Sequence, residues 1–229
     1  MIDTRSFFNQ LLPQYCVLCG GKAAGDALCP ACLDDLPRAC GERCPRCALA
    51  TPDAAVCGRC LRRPPAFDAT CAAFDFRFPV DALLRRFKYH GMLALAETLG
   101  ELLLDAVPQN DLPDLLLPMP LHPQRLQERG FNQAAEIARH LARRLAIPSD
   151  NIACRRLRPT PPQAGLSLKE RLRNLRGAFD CGRDLAGRHV ALVDDVMTTG
   201  ASLNALAVAV KQAGAVRVDC WVIARAQRD

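Results

Sequence analysis

Apolar and polar positions change period several times along the chain, and each change marks an element. Val190-Ala-Leu-Val193 is a continuous apolar run, the pattern of an inner strand of a parallel sheet buried on both faces. Two adjacent carboxylates, Asp194 and Asp195, follow it. Thr198-Thr-Gly-Ala-Ser202 then opens a helix over Leu203–Gln212, stopped by Gly214. Val216–Ala224 reads as a closing strand. Upstream, Thr70-Cys-Ala-Ala-Phe-Asp-Phe76 alternates like a strand. Val80–Val107 is helical in period, with apolar residues at Leu83, Leu84, Phe87, Leu95, Leu99, Leu102 and Leu103, and Gly91 breaks it into two helices. Leu115-Leu-Leu-Pro118 begins a short buried strand ended by proline, and Gln133–Leu145 is an amphipathic helix. Ser167 with Glu170 forms a capping box ahead of a short helix through Arg176. Strands alternating with helices of this length predict an α/β fold with a mostly parallel sheet and ligands at the carboxyl ends of its strands.

The first 65 residues follow another rule. Eight of the thirteen cysteines form four Cys-x-x-Cys pairs: Cys16/Cys19, Cys29/Cys32, Cys44/Cys47 and Cys57/Cys60. The third and fourth pairs repeat the first and second with a period of 28 residues. Each Cys-x-x-Cys turn points two thiolates at one metal, and two turns complete a tetrahedral site of four cysteines. Two tandem zinc ribbons are therefore expected within residues 1–65. Their zinc is expected to be structural, because four thiolates leave no open position. An iron–sulfur cluster is the competing metal, and interleaved pairing competes with the sequential sets 16, 19, 29, 32 and 44, 47, 57, 60. Cys40, Cys71, Cys154, Cys181 and Cys220 lie outside the repeat and read as small buried hydrophobes. The proline-containing stretch Leu61–Ala66 marks a boundary, giving a ribbon domain over 1–65 and an α/β domain over 66–229.

Composition narrows the class without deciding it. Of 229 residues half are hydrophobic and only 5% aromatic, and the formal net charge is +6. Arginines cluster over Arg125–Arg129, Arg139–Arg144, Arg155–Arg158 and Arg171–Arg176. They suit an anionic partner, pyrophosphate or a nucleic-acid backbone, although Arg139, Arg143 and Arg144 also fit a solvated helix face. No window of 18 apolar residues suggests membrane insertion, and Met1-Ile-Asp-Thr-Arg-Ser-Phe-Phe8 lacks the pattern of a secretory leader. A cytoplasmic location is expected, where so many cysteines stay reduced.

The chemistry concentrates after Val193. A helix N-terminus presents unpaired N–H groups and partial positive charge, so the turn Thr198–Ser202 can cradle a phosphate around Gly200. Asp194 and Asp195, close by, can accept hydrogen bonds from sugar hydroxyls. All thirteen positions of Val190–Ser202 resemble the signature of type I phosphoribosyltransferases. That resemblance implies that Asp194 and Asp195 hold the 2′- and 3′-hydroxyls of phosphoribosyl pyrophosphate (PRPP), while Val196, Met197, Thr198, Thr199, Gly200, Ala201 and Ser202 form its 5-phosphate loop.

Three further segments could meet the ligand. In Pro118–Gln133, Arg125 and Arg129 can each give bidentate hydrogen bonds to phosphate oxygens, and Gly130 permits close backbone approach. The neighbouring His122 reads either as a site residue or as a satisfied turn histidine. Arg155–Asn174 has the composition of a cationic lid, with Lys169, Arg171 and Gln163 as candidates. In Arg85–Gly91, Lys88 either reaches an anion or lies on an ordinary helix surface. Taken with the paired zinc knuckles, Phe87-Lys-Tyr-His-Gly91, the Pro-Leu-His-Pro-x-Arg-Leu-x-x-Arg-Gly-Phe-Asn-Gln run at Pro120–Gln133, Arg156 with Thr160 and Gln163, and Asn174–Phe179, the chain resembles the ComF family. That resemblance spans Cys16 to Ala224 and implies a link to DNA uptake in natural competence.

The implied reaction displaces pyrophosphate from C1 of Mg²⁺-bound PRPP, so the protein's tasks are positioning and electrostatic stabilisation. Asp194, Asp195, Arg125 and Lys169 are the residues expected to act in it. Lys88, Arg129 and Gly130 join the phosphate loop in binding PRPP, with Mg²⁺ mainly on ligand oxygens. No residue identifies the acceptor, and no glutaminase segment supports an amidotransferase. Two other readings stand beside the transferase. One is a non-catalytic protein of DNA uptake or processing that grips single-stranded DNA or docks DNA-uptake proteins. The other is a regulator that senses PRPP. Sparse aromatics, one Trp and two Tyr, weigh against a stacking groove.

Overall fold

The computed structural model describes residues 14–23, 27–158 and 177–227. Four parallel strands form the central sheet: β3 (Ala69–Asp75), β4 (Leu115–Pro118), β7 (His189–Met197) and β8 (Arg217–Arg225), in the order β3-β8-β7-β4. The two inner strands, β7 and β8, are buried along almost their whole length. That is why each contains an unbroken apolar run, Val190–Val193 and Cys220–Ala224, rather than an alternation. Helices α3 (Val80–Tyr89), α4 (Ala94–Leu104) and α6 (Gln133–Leu145) pack with Ala191, Val193 and Trp221 in one core cluster. Helix α7 (Ala201–Gln212) packs with Val190, Leu192 and Val222 in the other. A short helix, α5 (Pro123–Arg129), follows β4, and an antiparallel pair, β5 (Cys154–Arg156) with β6 (Phe179–Cys181), lies beside α7.

Strand β8 ends at Arg225, one residue beyond the expected Ala224, and two further boundaries differ from the sequence expectation at the site. Strand β7 does not end at Val193: its pairing with β8 continues through Asp194↔Val222 to Met197↔Arg225. The two carboxylates therefore stand on a central strand, not on the turn after it. Helix α7 starts at Ala201, which leaves only Thr198–Gly200 as the turn. The capping box at Ser167 and Glu170 lies outside the described residues, as do Lys169, Arg171, Gln163, Thr160 and Asn174.

The N-terminal segment contains β1 (Gln14–Tyr15), β2 (Lys22–Ala23), α1 (Pro30–Asp34) and α2 (Gly58–Arg62). It runs along the outer edge of β3. Ala39 and Asp75 donate N–H bonds across that edge, to Ala73 and Pro37 at 2.9 Å each, and Arg43 holds Asp75 with both terminal nitrogens at 3.1 and 3.2 Å. An edge strand that would otherwise invite pairing with another chain is thereby covered. Cys16, Leu28 and Leu36 join the helix α3 core, whereas Cys44, Cys47 and Cys60 join the α7 core, so the segment straddles the sheet edge.

Candidate functional site

The eight repeat cysteines converge in two groups, Cys16, Cys19, Cys29, Cys32 and Cys44, Cys47, Cys57, Cys60, with the four sulfurs of each within 4.8 Å of one another. This is the sequential pairing. Two sulfur separations are 3.7 Å (Cys19–Cys29) and 3.6 Å (Cys47–Cys57). The edge of a tetrahedron with Zn–S bonds of ~2.3 Å is ~3.8 Å, so the geometry fits zinc. Burial pushes the Cys16 thiol up, but N–H groups of Cys19, Cys29 and Leu18 outweigh it and hold it at about 6. Cys57 is held at about 7 in the same way, its burial outweighed by the Cys60 N–H and the neighbouring thiols. Their partners move oppositely: Cys32 is pushed up by its hydrogen bond to Cys29, and Cys60 by burial. Four close thiols share protons in this way, and a divalent cation would displace those protons and favour four thiolates. Outside the repeat, Cys154 and Cys220 are buried as expected. Cys71 and Cys181 are partly buried, while Cys40 is exposed.

At the carboxyl end of β7 the two acids take different partners. Asp195 is buried and ion-paired with Lys88 of α3, whose side chain is only 21% exposed. Lys88 is therefore turned into the site and is not a solvated surface lysine. Asp194 accepts the Asp195 N–H at 2.9 Å. Burial, and then the Asp195 carboxylate, push the Asp194 carboxyl well above the usual carboxylate range, with Lys88 opposing. Arg156 on β5 lies within the field of Asp194 and of Arg125. Its own burial lowers it, Asp194 raises it and Arg125 lowers it further. The structure thus brings Asp194, Asp195, Lys88, Arg156 and Arg125 to one end of the sheet.

The turn beyond them is built for backbone donors. Gly200 has φ +76°, a left-handed conformation that caps α7 and favours glycine. Thr199 Oγ1 accepts the Ala201 N–H at 3.3 Å. Thr198 is exposed, while Gly200 and Ala201 are buried. A cleft of about 210 Å³ adjoins the turn, lined by Arg59, Arg63, Pro64, Phe67, Thr199 and Asn204.

On α5, Arg129 lies over the Tyr89 ring at 5.4 Å and bonds to Gln133. Gly130 is left-handed at φ +81° and ends the helix. His122 Nδ1 accepts the Gln124 N–H at 3.4 Å, which makes it the N-cap of α5, the satisfied turn histidine. Arg139 pairs with Glu136, Arg143 with Glu97 and Arg144 with Glu101, as a solvated helix face does.

Two site residues were not foreseen from the sequence. Arg225, fully buried at the end of β8, donates to the carbonyls of Cys47, Met197, Thr198 and Ala226. Arg59, between Cys57 and Cys60, donates to the Thr199 carbonyl at 2.8 Å. For Arg225 the available signal was a charge continuing the apolar run Cys220–Ala224 with no turn residue between them.

Comparison with known proteins agrees with these two parts. Residues 7–61 match a double zinc ribbon domain and residues 131–229 a phosphoribosyl transferase domain. The chain is 33% identical to Competence protein F of Haemophilus influenzae, covering 92% of this chain and 96% of that protein. It is 35% identical to the DNA utilization protein YhgH of Escherichia coli, covering 80% and 83%. To the competence protein ComFC of Bacillus subtilis it is 27% identical, covering 82% and 85%. No helix among the described residues is long and apolar enough to cross a membrane. With a parallel sheet, two four-cysteine ribbon sites and this identity over most of its length, the chain belongs to the ComF family.

Proposed function

We propose that the chain binds Mg²⁺-PRPP at the carboxyl end of β7 and transfers its phosphoribosyl group to an acceptor, releasing pyrophosphate. The observation that carries this reading is the direct succession on one strand end of Asp194, Asp195 and the left-handed Gly200 turn that opens α7. The spacing sets two diol acceptors next to a phosphate cradle, at the strand end where α/β sheets bind ligands. Asp194 and Asp195 hold the ribose hydroxyls, and the stretch from Val196 to Ser202 surrounds the 5-phosphate. Arg125, Arg129 and Gly130 lie on the pyrophosphate side. Lys88 compensates the buried Asp195 until the ligand arrives and then serves the anion. Lys169 remains a candidate from the sequence alone. Carboxylate and phosphate oxygens are hard donors that suit Mg²⁺, which supplies charge neutralisation on the leaving group. Relatives are named for competence and for DNA utilization, which supports a link of this site to DNA uptake, and thiolate zinc sites suit a reducing cytoplasm.

The test is titration calorimetry of Mg²⁺-PRPP into the protein and into Asp194→Asn/Asp195→Asn. Binding that is lost in the double variant is expected. Equal affinity in both would remove the acidic pair from the site, and absence of binding in both would remove the reading.

A second reading, a grip on single-stranded DNA, has one observation in its favour. Tyr89, 67% exposed at the end of α3, carries the Arg129 guanidinium over one face of its ring, and a base can stack on an exposed aromatic face. DNA affinity that falls steeply with salt and survives loss of both aspartates would select it.

A further inference from the structure

Three successive carbonyls, of Met197 at the end of β7 and of Thr198 and Thr199 in the phosphate turn, are held by two guanidinium groups that belong to, or touch, the second zinc ribbon. Arg225 Nη1 donates to Met197 O at 2.9 Å and also to Thr198 O, while its Nε donates to Cys47 O at 2.6 Å. Arg59 Nη1 takes the next carbonyl, Thr199 O, at 2.8 Å. One of these residues sits between two zinc-site cysteines, and the other bonds the main chain of a third. A further tie runs from the Ala66 N–H to Asn204 Oδ1 of α7 at 2.7 Å.

A trans peptide is planar, with its C=O and N–H pointing in opposite directions. Fixing the Met197, Thr198 and Thr199 carbonyls toward the ribbon therefore aims the Thr198, Thr199 and Gly200 N–H groups the other way. Successive N–H groups turned to one side make an anion-binding concavity. Arg225 is fully buried, and a buried cation needs compensation. Carbonyl dipoles supply part of it. Zinc held by four thiolates is a net anion and would supply more, so metal loss would leave the guanidinium less compensated.

We infer that the second four-cysteine site (Cys44, Cys47, Cys57, Cys60) is a brace for the phosphate turn, with Arg225 and Arg59 as its positioning residues, and that the first site (Cys16, Cys19, Cys29, Cys32) is not. The first site lies on the α3 side of the sheet edge, where Arg86 bonds to Val17 O, and its bonds among the described residues do not reach the turn. This deepens the functional reading above, which alone makes the turn a 5-phosphate cradle. By linkage, an anion seated in the turn should raise the zinc affinity of the second site, and the metal should tighten the anion by the same factor.

The experiment is amide hydrogen exchange over residues 197–204 of the full zinc-loaded chain, which requires no PRPP. Cys57→Ser/Cys60→Ser is expected to speed exchange there about tenfold, a local opening with the rest of the sheet protected. Cys16→Ser/Cys19→Ser should leave that segment unchanged. Arg59→Ala, at a half-buried residue that the fold tolerates more readily than a change at Arg225, should speed exchange with both zinc ions still bound. Arg59→Lys should restore most of the protection. Unchanged exchange in both Arg59→Ala and the second-site variant would overturn the brace, as would equal acceleration by the first-site and second-site variants. Mg²⁺-PRPP binding to the wild-type chain decides the functional reading separately, so the two can fail independently. Where PRPP binds, a zinc affinity of the second site, measured by equilibrium competition with a chelating dye, that PRPP does not raise would also overturn the coupling.

Discussion

Asp194 accepts the main-chain N–H of Asp195 at 2.9 Å, whereas the Asp195 side chain is spent on Lys88. Two identical neighbours thus take different partners, one a main-chain N–H and the other a lysine. Asp194 is raised by burial and by Asp195. Between about pH 4, where an unfolded aspartate titrates, and its raised folded value, the native chain holds a proton that the unfolded chain has released. Stability contributed by Asp194 is full below that window and falls as pH rises through it. Asp194→Asn keeps the oxygen that accepts the Asp195 N–H and removes the buried charge. Its melting temperature is expected to exceed that of wild type at pH 8, with the gap closing toward pH 4. A lower melting temperature for the variant at pH 8 would contradict the assignment.

Asp195→Asn should behave oppositely. It strips Lys88, a largely buried lysine, of its counter-charge. Loss of a charged hydrogen bond costs about 1–2 kcal/mol, so the unliganded variant should melt below wild type at neutral pH. Adding Lys88→Met to Asp195→Asn should recover part of the loss, because removing both charges costs less than stranding one. Chemical denaturation of the three variants measures this. A double variant no more stable than Asp195→Asn would place the cost elsewhere.

Most of this arrangement was legible in the sequence because it is local. The four apolar residues before Asp194, the glycine at Gly200 and the period of the cysteine pairs each declare themselves within a few positions. What was not legible is relational. Arg225 reads as the start of a polar tail until the register Met197↔Arg225 shows that it continues β8 beside the turn. Arg59 reads as a filler between two cysteines until the ribbon is seated against Thr199. Lys88 could be read either way, since helical period gives its face but not what faces it. Even the β7 boundary failed for this reason: carboxylates argue against a buried strand locally, and pairing with β8 overrides them.

Arg125 can be tested against Asp194 by ligand dissection. It stands on α5, after β4, close enough to lower Arg156, which Asp194 raises. Arg125→Ala is expected to weaken pyrophosphate binding about tenfold, the loss of roughly one charge-assisted contact. Ribose 5-phosphate affinity should change by less than about twofold. Competition binding with each ligand separates the cases, and equal losses would move Arg125 off the pyrophosphate side.

Metal content gives an independent check on the ribbons. Freshly purified protein is expected to contain two zinc ions per chain by elemental analysis, one for each four-cysteine group. Exhaustive chelation should release both and destabilise the segment that covers β3, because burial of Cys16, Cys44, Cys47 and Cys60 depends on the sites being closed. Iron in place of zinc, with visible absorbance, would reassign the centres.

Gly100 provides a test of packing on the opposite face from the turn. Glycine inside a helix costs about 1 kcal/mol relative to alanine, so propensity alone predicts that Gly100→Ala in α4 stabilises. The structure predicts the reverse. A Cβ at position 100 would lie 2.6 Å from His140 Cδ2, 3.0 Å from its Cγ and 3.2 Å from its Cβ. The last of these is anchored to α6 and cannot swing aside. The ring is held by Glu101 at 2.8 Å and is 7% exposed. Overpacking of this kind costs about 1–3 kcal/mol, which exceeds the propensity gain at its upper range and should lower the melting temperature by several degrees. His140→Ala in the same chain should remove the two closest contacts, with Cδ2 and Cγ, and leave only the 3.2 Å approach to Cβ, so Gly100→Ala should cost much less in that background and the two substitutions should be strongly non-additive in a thermal melt. A Gly100→Ala protein that melts above wild type while His140 is present would show that α4 and α6 can move apart at no cost.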